Sequence, residues 1–310
     1  MLGLTLILAA TLAADAPART STADDYVGRW NLRITDPDNQ PTFVAGGFKV
    51  EKRDGGLAGS VVWRWGSNGL AKVTVANGVL HLVREEEPGK PDTFEARLEG
   101  AVLKGEVKYF DGKIHHFEGR RAPELATKGA PKWGKPVTLF DGKSLGGWKL
   151  RDPSKKMGWD VVGGELAVVN PDGNADLVSD MAFQDLKLHI EFNVEPHSNS
   201  GVYLRGRYEI QILDDASKAT EAHGCGALYS RIAPKIDATK PAGEWQAFDI
   251  TFVGRKLTVV LNGKTIIEGA NVDGITGGAS NTFEGEPGPL MLQGDHGKVR
   301  FRNVVLTPAG

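Results

Sequence analysis

Short segments of alternating apolar and polar residues, each ended by glycine, asparagine or aspartate, run through almost the whole chain. Period-two alternation with frequent turn signals is typical of antiparallel β-sheets. Glycine makes up 40 of the 310 residues, an excess that fits tight turns between short strands better than it fits helices. No segment keeps a 3.6-residue apolar period. We therefore predict an all-β chain.

The strand-like segments fall into two groups, which predicts two domains. Residues 25–121 read as a small antiparallel β-barrel or lipocalin-like meander, in which Asn77-Gly78 has the composition of a two-residue hairpin turn. Residues 122–135 are rich in Pro, Ala, Lys and Gly without any period and predict a linker. Residues 136–308 alternate again, and so many strands predict a two-sheet β-sandwich or jelly roll.

The N-terminal segment predicts that the chain is exported. An apolar run from Leu2 to about Ala14, followed by small residues, predicts a signal peptide over residues 1–16 and a periplasmic or extracellular mature protein. That run is too short to span a bilayer, and no other membrane segment is visible. A net charge of −2 argues against a nucleic-acid partner. Cys225 is the only cysteine, which excludes an intramolecular disulfide and a cysteine-based zinc site.

Polar side chains of the second domain are predicted to gather on one face of its central strands. In the segment 186–194, Leu188 and Ile190 alternate with Glu191, and the same alternation continues in the strands around residues 203 and 209. The resulting face holds Glu191, Tyr203, Arg205, Glu209, Gln211 and Gln293, with Asp295 and His296 at a strand end. Any solvated sheet face carries polar residues, but this set is rich in groups that hydrogen-bond hydroxyls. It predicts a functional groove on this face.

The two carboxylates of an ordinary retaining glycosidase are harder to find. Such a pair lies about 5–5.5 Å apart. Glu209 and Asp214 are five positions apart, which sends them to opposite faces of a strand, and the residue between them on the Glu209 face is Gln211. Glu191, from another strand, could partner Glu209, so this alternative stays open.

Six motifs, in order, resemble a known family. They are LFDGKSLGGW (139–148), NSGVYLRGRYEIQILD (199–214), GALYSRIAP (226–234), GEWQAFDI (243–250), LNGK (261–264) and LQGDHGKVRFRNVVL (292–306). Together they resemble the 3-keto-disaccharide hydrolase family over residues 136–308. The resemblance implies a concanavalin A-like jelly roll and action on glycosides whose sugar ring carries a ketone at C3.

The implied chemistry fits a single-base site. A C3 ketone acidifies the C2 proton, so a base can remove it, the C1 oxygen can leave by elimination, and water addition completes net hydrolysis. This route needs one base and a donor or cation for the developing enolate. The candidate catalytic residues are Glu209 and His296 as bases and Arg205 as the enolate partner. The candidate substrate-binding residues are Glu191, Tyr203, Gln211, Asp214, His223 and Gln293, of which His223 is also a third candidate base.

Three further alternatives stay open. A divalent cation could replace Arg205, with ligands drawn from Glu191, Glu209, Asp214 and His296, although no metal motif is visible. A lectin-like carbohydrate-binding protein would use the same fold, since fold does not fix function. A surface adhesion protein is a third class. The predicted partner in the first two cases is a glycan or glycoside, and no protein partner is indicated.

Overall fold

The computed structural model describes residues 20–35, 43–63, 66–85, 87–125, 129–216 and 220–309. Within those ranges regular structure is almost entirely β, and one short helix, α1 (Ala23–Tyr26), precedes the first strand. The prediction of an all-β chain, a barrel-like meander followed by a jelly roll, is confirmed. The predicted signal peptide lies outside the described residues, so export stays a prediction. Across the described ranges, no helix is long and apolar enough to cross a membrane.

Nine antiparallel strands, counted over the described residues, form the N-terminal sheet. Their bounds are β1 (Gly28–Thr35), β2 (Phe43–Arg53), β3 (Gly56–Trp63), β4 (Gly66–Gly69), β5 (Lys72–Ala76), β6 (Val79–Glu85), β7 (Pro91–Glu99), β8 (Val102–Lys108) and β9 (Ile114–Arg121). The strand order is β4-β3-β2-β1-β9-β8-β7-β6-β5, and the sheet curls until β3 contacts β5. Alternate side chains, among them Trp30, Leu32 and Phe94, fill the interior of this barrel.

The second domain is a sandwich of two antiparallel sheets. Its strands are β10 (Val137–Thr138), β11 (Trp148–Leu150), β12 (Trp159–Val162), β13 (Glu165–Val168), β14 (Leu177–Phe183), β15 (Leu186–Val194), β16 (Asn199–Leu204), β17 (Tyr208–Leu213), β18 (Gln246–Val253), β19 (Lys256–Leu261), β20 (Lys264–Asn271), β21 (Gly288–Leu292) and β22 (Val299–Pro308). The large sheet has the order β12-β13-β22-β15-β18-β19-β20, with β10 beside β22, and the small sheet has the order β11-β14-β21-β16-β17.

One hydrophobic core lies between these two sheets. Ile190 and Phe192 of the large sheet and Val202 and Ile210 of the small sheet belong to one buried cluster. Because side chains alternate along a strand, the polar neighbours of these residues face away from the core. The outer face of the small sheet is therefore where polar groups of β16 and β17 collect.

The predicted domain boundary at residues 122–135 stays a prediction, but the described part of this segment is well anchored. The carbonyl oxygen of Pro123 accepts hydrogen bonds from Arg29 in the barrel (3.1 Å) and from Arg255 in the sandwich (2.9 Å). Near the other end of the segment, Trp133 forms a bridge with Ala309. Both ends of the described segment are thus held against folded structure.

Candidate active site

A cross-strand pair of side chains forms the centre of the site. β16 and β17 place Tyr203 directly opposite Glu209, and the Tyr203 hydroxyl donates a 2.8 Å hydrogen bond to Oε2 of Glu209. The adjacent Val202 and Ile210 point into the core, so Tyr203 and Glu209 point to the other face. They are nevertheless only 2% and 3% exposed. The structure thus holds a carboxyl group and a phenol together in a place that excludes most water.

This environment changes the acidity of the carboxyl group. Burial is the largest influence and raises the pKa of Glu209, the hydrogen bond from Tyr203 opposes this rise, and the negative charge of Asp176 adds to it, so that the resulting pKa is about 8. A carboxyl group whose pKa lies near the working pH is suited to proton transfer, because it can be populated in both forms.

Two glycines leave room for the Tyr203–Glu209 pair. A Cβ atom on Gly201 would lie 2.4 Å from Oε1 of Glu209, and a Cβ atom on Gly278 would lie 2.5 Å from the Tyr203 hydroxyl oxygen. Gly278 also has a φ of +70°, a conformation that favours glycine. No larger residue fits at either position without moving the pair.

The pair lies in the wall of a cavity of about 340 Å³. The cavity is lined by Ala45, Arg151, Asp176, Asn199, Tyr203, Glu209, Gln211, Tyr229, Gly277, Gly278, Ala279, Gln293, Asp295 and His296. Five of the predicted site residues are brought together here: Tyr203, Glu209, Gln211, Gln293 and His296. The volume is at the small end of the range for ligand sites.

Asp295 orients the second candidate base. Its Oδ1 lies 2.5 Å from Nδ1 of His296. This hydrogen bond raises the pKa of His296 above its usual value, and the same contact lowers the pKa of Asp295. The carboxylate fixes the imidazole so that Nδ1 carries a proton and Nε2 remains for the substrate.

Arg151 and Asp176 belong to the site although the sequence did not single them out. One guanidinium nitrogen of Arg151 lies 3.2 Å from Oδ2 of Asp176 and donates a 2.8 Å hydrogen bond to the Gly278 carbonyl. The other donates to the Ala279 carbonyl at 3.1 Å. Burial raises the pKa of Asp176, and the Arg151 charge opposes that rise. These residues follow β11 and precede β14, and no local motif marks either of them.

Three amide side chains in the wall carry acceptor oxygens without a partner. Oδ1 of Asn199, Oε1 of Gln211 and Oε1 of Gln293 are buried and make no hydrogen bond within the described structure. A buried polar atom left without a partner is costly, so a ligand that donates hydrogen bonds is favoured there. Sugar hydroxyl groups are such donors.

Arg205 does not reach the cavity, which corrects the prediction that it faces the site. It lies in the turn between β16 and β17 with a φ of +54°, where strand alternation no longer applies. Its fully buried guanidinium donates to the carbonyls of Gln184 and Gly254 and pairs with Asp185 at 3.1 Å. Its position identifies Arg205 as a residue that holds the turn in place. Arg151 is the guanidinium that lines the cavity.

Glu191 also lies away from the cavity. It belongs to β15, which pairs with β18 and β22 in the large sheet and not with β16. Its carboxylate accepts hydrogen bonds of 2.6 Å from both Arg302 and Asn303. The prediction treated these strands as neighbours and is wrong on this point.

Asp214 and His223 do not line the cavity either. Asp214 accepts a 2.9 Å hydrogen bond from the backbone of His197 just after β17 ends. His223 stands at the rim, where its Nε2 lies 2.9 Å from the Ser230 hydroxyl and its ring meets the ring of Tyr229 edge-on. His223 therefore contacts a cavity residue without lining the cavity.

The cation alternative finds no cluster in the described part of the chain. No group of three or more His, Cys, Asp or Glu side chains lies there in an arrangement that could hold a metal ion. Of the four ligands suggested for a cation, only Glu209 and His296 line the cavity.

A jelly roll whose cavity combines carboxyl, imidazole, guanidinium and amide groups is typical of carbohydrate-active proteins. Residues 135–307 match the family described as 3-keto-alpha-glucoside-1,2-lyase-like domain, and the chain belongs to this family. The match covers the sandwich and the whole candidate site except Ala45. The chain is thereby a carbohydrate-active protein of a family of glycoside-acting enzymes.

Several solved structures are similar to the chain. A protein from Parabacteroides distasonis proposed to be a glycosyl hydrolase is 26% identical with a TM-score of 0.49, over 58% of this chain and 92% of that one. Another from the same organism is 25% identical with a TM-score of 0.44, over 56% and 100%. A carbohydrate-binding module from Bacillus subtilis is 12% identical with a TM-score of 0.35, over 51% and 93%. No curated protein matches the chain.

Proposed function

We propose that this protein cleaves the glycosidic bond of 3-keto-glycosides by removing the C2 proton, eliminating the C1 substituent and adding water. The observation that carries the proposal is Glu209, a buried carboxyl group with a pKa raised to about 8 that lies in a polar cavity. Membership of the 3-keto-alpha-glucoside-1,2-lyase-like family supports this chemistry.

Each step has a group that can carry it. Glu209, as the carboxylate, takes the C2 proton, and the C–H electrons move to form the enolate of the C3 ketone. Arg151 offers a cation for the enolate oxygen. The electrons then form a C1=C2 bond as the C1–O bond breaks, and His296, protonated and held by Asp295, gives a proton to the departing oxygen. Water adds to C1 while C2 regains a proton, which leaves the free 3-keto sugar.

The raised pKa values of Glu209 and His296 agree with these roles. A carboxylate with a pKa near 8 is a stronger base than an ordinary one, so it suits a weakly acidic carbon acid. The raised pKa of His296 keeps more of the imidazole protonated at neutral pH, as a general acid requires. The unpartnered oxygens of Asn199, Gln211 and Gln293 would bind the remaining hydroxyl groups of the sugar.

An ordinary glycoside hydrolase is the second candidate, because the cavity holds more than one acid. Asp176 and Asp295 line it together with Glu209. However, Asp176 is paired with Arg151 and Asp295 with His296, which leaves Glu209 as the cavity carboxyl group without a cationic partner at salt-bridge distance in the described structure.

Isotope incorporation separates the two candidates. The protein is incubated in D₂O with a 3-keto-disaccharide and, separately, with its unoxidised parent, each with and without a chelator. We expect cleavage of the 3-keto sugar alone, with deuterium at C2 of the product above the level that the product acquires by itself. Cleavage of the parent without deuterium at C2 would establish the ordinary hydrolase. Cleavage of neither would exclude both enzymes and leave a carbohydrate-binding protein.

A single substitution tests the base. Glu209→Gln keeps the size of the side chain and an acceptor for the Tyr203 hydroxyl but cannot take a proton. We expect kcat to fall at least about 100-fold, the scale of lost general-base catalysis. Glu268→Gln on β20, whose side chain is 73% exposed, is the matched control and keeps full activity. Full activity of Glu209→Gln would remove Glu209 from the mechanism.

A further inference from the structure

The N-terminal barrel reaches the candidate active site. Ala45 on β2 is buried and lines the same cavity as Tyr203 and Glu209. Ala45 and Val62 of the barrel belong to the hydrophobic cluster of the sandwich and not to that of the barrel. One wall of the cavity therefore comes from the first domain, outside the residues that match the family.

A second barrel segment lies against the cavity rim. Gly66, where β4 begins, has a φ of +146°, and a Cβ atom there would lie 2.5 Å from the Ser230 hydroxyl oxygen and 3.9 Å from the ring of Tyr229. Tyr229 is itself a cavity residue. The missing side chain of Gly66 thus allows the first residue of β4 to approach the rim closely.

Charged and polar contacts, with the buried Glu284 at their centre, hold the barrel in this position. Glu284 of the sandwich has no exposed side-chain surface, and it contacts both Arg29 and Asn31 of β1. Asn31 also donates a 3.0 Å hydrogen bond to the Thr282 carbonyl, and Lys49 of β2 pairs with Asp273 at 2.9 Å. Separating the domains would leave the Glu284 carboxylate without two of its partners.

The anchored loop is also the loop that lines the cavity. The loop segment 273–284 begins at Asp273 and ends at Glu284. Between them, Gly277, Gly278 and Ala279 line the cavity. The barrel therefore contributes a wall directly through Ala45 and holds a second wall through this loop. A site built in this way is closed on the side where the barrel docks.

We propose that the N-terminal barrel is a specificity element that limits the cavity to short glycosides, with Ala45 as the residue that contacts the part of the substrate beyond the reacting ring. This inference rests on the proposed function for the nature of the substrate. A closed wall and a volume of about 340 Å³ suit a terminal 3-keto ring with one small group or one further sugar, and not a polysaccharide that continues in both directions.

Thiol labelling tests the wall without using activity. Cys225 is fully buried and its pKa is raised to about 12 by burial, so the native thiol gives little background. In the full-length chain, Ala45→Cys is compared with Ala76→Cys on β5, an exposed position. We expect the small reagent methyl methanethiosulfonate to label Ala45→Cys. With a bulky maleimide, we expect Ala45→Cys to react at least about tenfold more slowly than Ala76→Cys does.

Kinetics test the specificity. Ala45→Leu places a larger side chain in the wall, and we expect kcat/KM to fall about tenfold more for a 3-keto-disaccharide than for the methyl 3-keto-glucoside, on the scale of steric discrimination in a pocket. Ala76→Leu is the matched control and changes neither value. Equal effects of Ala45→Leu on both substrates would overturn the specificity role.

The two tests separate failure of the inference from failure of the proposed function. Two results would show that Ala45 does not line the cavity wall. In the first, Ala45→Cys reacts with both reagents as fast as Ala76→Cys; in the second, it reacts with neither, as expected of the buried Cys225. A wild-type protein that cleaves no 3-keto-glycoside would refute the proposed function. In that case the labelling pattern alone decides whether the barrel forms the wall.

Discussion

Glu209 shows how one side chain acquires chemistry from its surroundings. The strand gives it a place opposite Tyr203, Gly201 gives it space, and the cavity wall removes water from it. Removal of water disfavours the charged form of a carboxyl group and raises its pKa. The hydrogen bond from Tyr203 lowers the pKa again. A higher pKa makes the carboxylate a stronger base, whereas a lower pKa leaves a larger fraction of Glu209 ionised and able to accept a proton.

The raised pKa has a consequence for stability that Glu209→Gln reveals. Unfolding returns the pKa from about 8 to its ordinary value of 4.5, so the unfolded chain releases this proton at lower pH than the folded chain. The free energy of unfolding therefore falls as pH rises from about 5 to 8. The side chain of Glu209→Gln does not ionise, so the free energy of unfolding of this variant does not fall in the same way. We expect the variant to be more stable than wild type by a few kcal/mol at pH 8.5 and about as stable as wild type at pH 4.5.

Urea unfolding at those two pH values measures the difference. Glu268→Gln is again the control, because an exposed carboxyl group in a surface ion pair contributes little. If the free energies of unfolding of Glu209→Gln and wild type differed by the same amount at both pH values, a raised pKa of Glu209 in the folded state would be contradicted.

Alternation along a strand predicted part of the site and no more. Tyr203, Glu209 and Gln211 were predicted to share a face, and the structure places them in one cavity because β16 and β17 are regular neighbours. The prediction for Arg205 is wrong because this residue lies one position beyond β16, in a turn where its φ is positive. Period-two reasoning holds only while the backbone stays extended.

At the scale of elements, the site depends on how strands and loops are brought together. Arg151 follows β11, Asp176 precedes β14, and Gly278 lies in the loop between β20 and β21. Sheet order decides these contacts, and sheet order is a long-range property that no segment encodes by itself. The same reason explains Glu191, whose strand has the right pattern but belongs to the other sheet.

The loop that carries Gly278 gives a test at this scale. Gly278→Ala places a Cβ atom 2.5 Å from the Tyr203 hydroxyl oxygen and should displace the hydrogen bond to Glu209. Gly263→Ala is the matched control, because its φ of +78° resembles the +70° of Gly278 but a Cβ atom there meets nothing within 4 Å. Both variants should lose about 1 kcal/mol of stability from the left-handed backbone.

Only Gly278→Ala should also lose activity, by about tenfold in kcat, since a small displacement of a catalytic group is enough for such a loss. Turnover of the 3-keto substrate and urea unfolding of both variants measure the two effects. Similar activity of the two variants would show that the position of the Tyr203 hydroxyl does not matter for turnover.

The whole molecule is joined by contacts between residues far apart in sequence. The predicted architecture of barrel and jelly roll is correct because it follows from alternation and turns, which are local. The docking of the barrel was beyond sequence reasoning, because Arg29 and Glu284 are brought together only when both domains have folded. This docking makes the barrel part of the site and not an independent appendage.

Glu284 provides the test of that docking. Its carboxylate accepts hydrogen bonds from Arg255 (2.9 Å), Tyr208 (2.8 Å) and Asn31 (3.0 Å) and lies 3.5 Å from Arg29. Burial alone would raise the pKa of Glu284, but Arg255 foremost, together with the hydrogen bonds from Asn31 and Tyr208, lowers it below its ordinary value. The folded state therefore favours the ionised form, and this contribution is present above the ordinary pKa and lost as pH falls below it.

Glu284→Gln removes the charge and leaves Arg255 and Arg29 facing a neutral group. Loss of one partner of a buried ion pair costs about 3 kcal/mol, so we expect the melting temperature at pH 7 to fall on the order of 5–10 °C. Because the lost contacts join the two domains, we also expect calorimetry to show one transition for the wild-type protein and two for the variant. Glu286→Gln, two residues away and exposed, is the matched control. A Glu284→Gln variant that melts like Glu286→Gln would mean that the buried network does not hold the barrel against the sandwich.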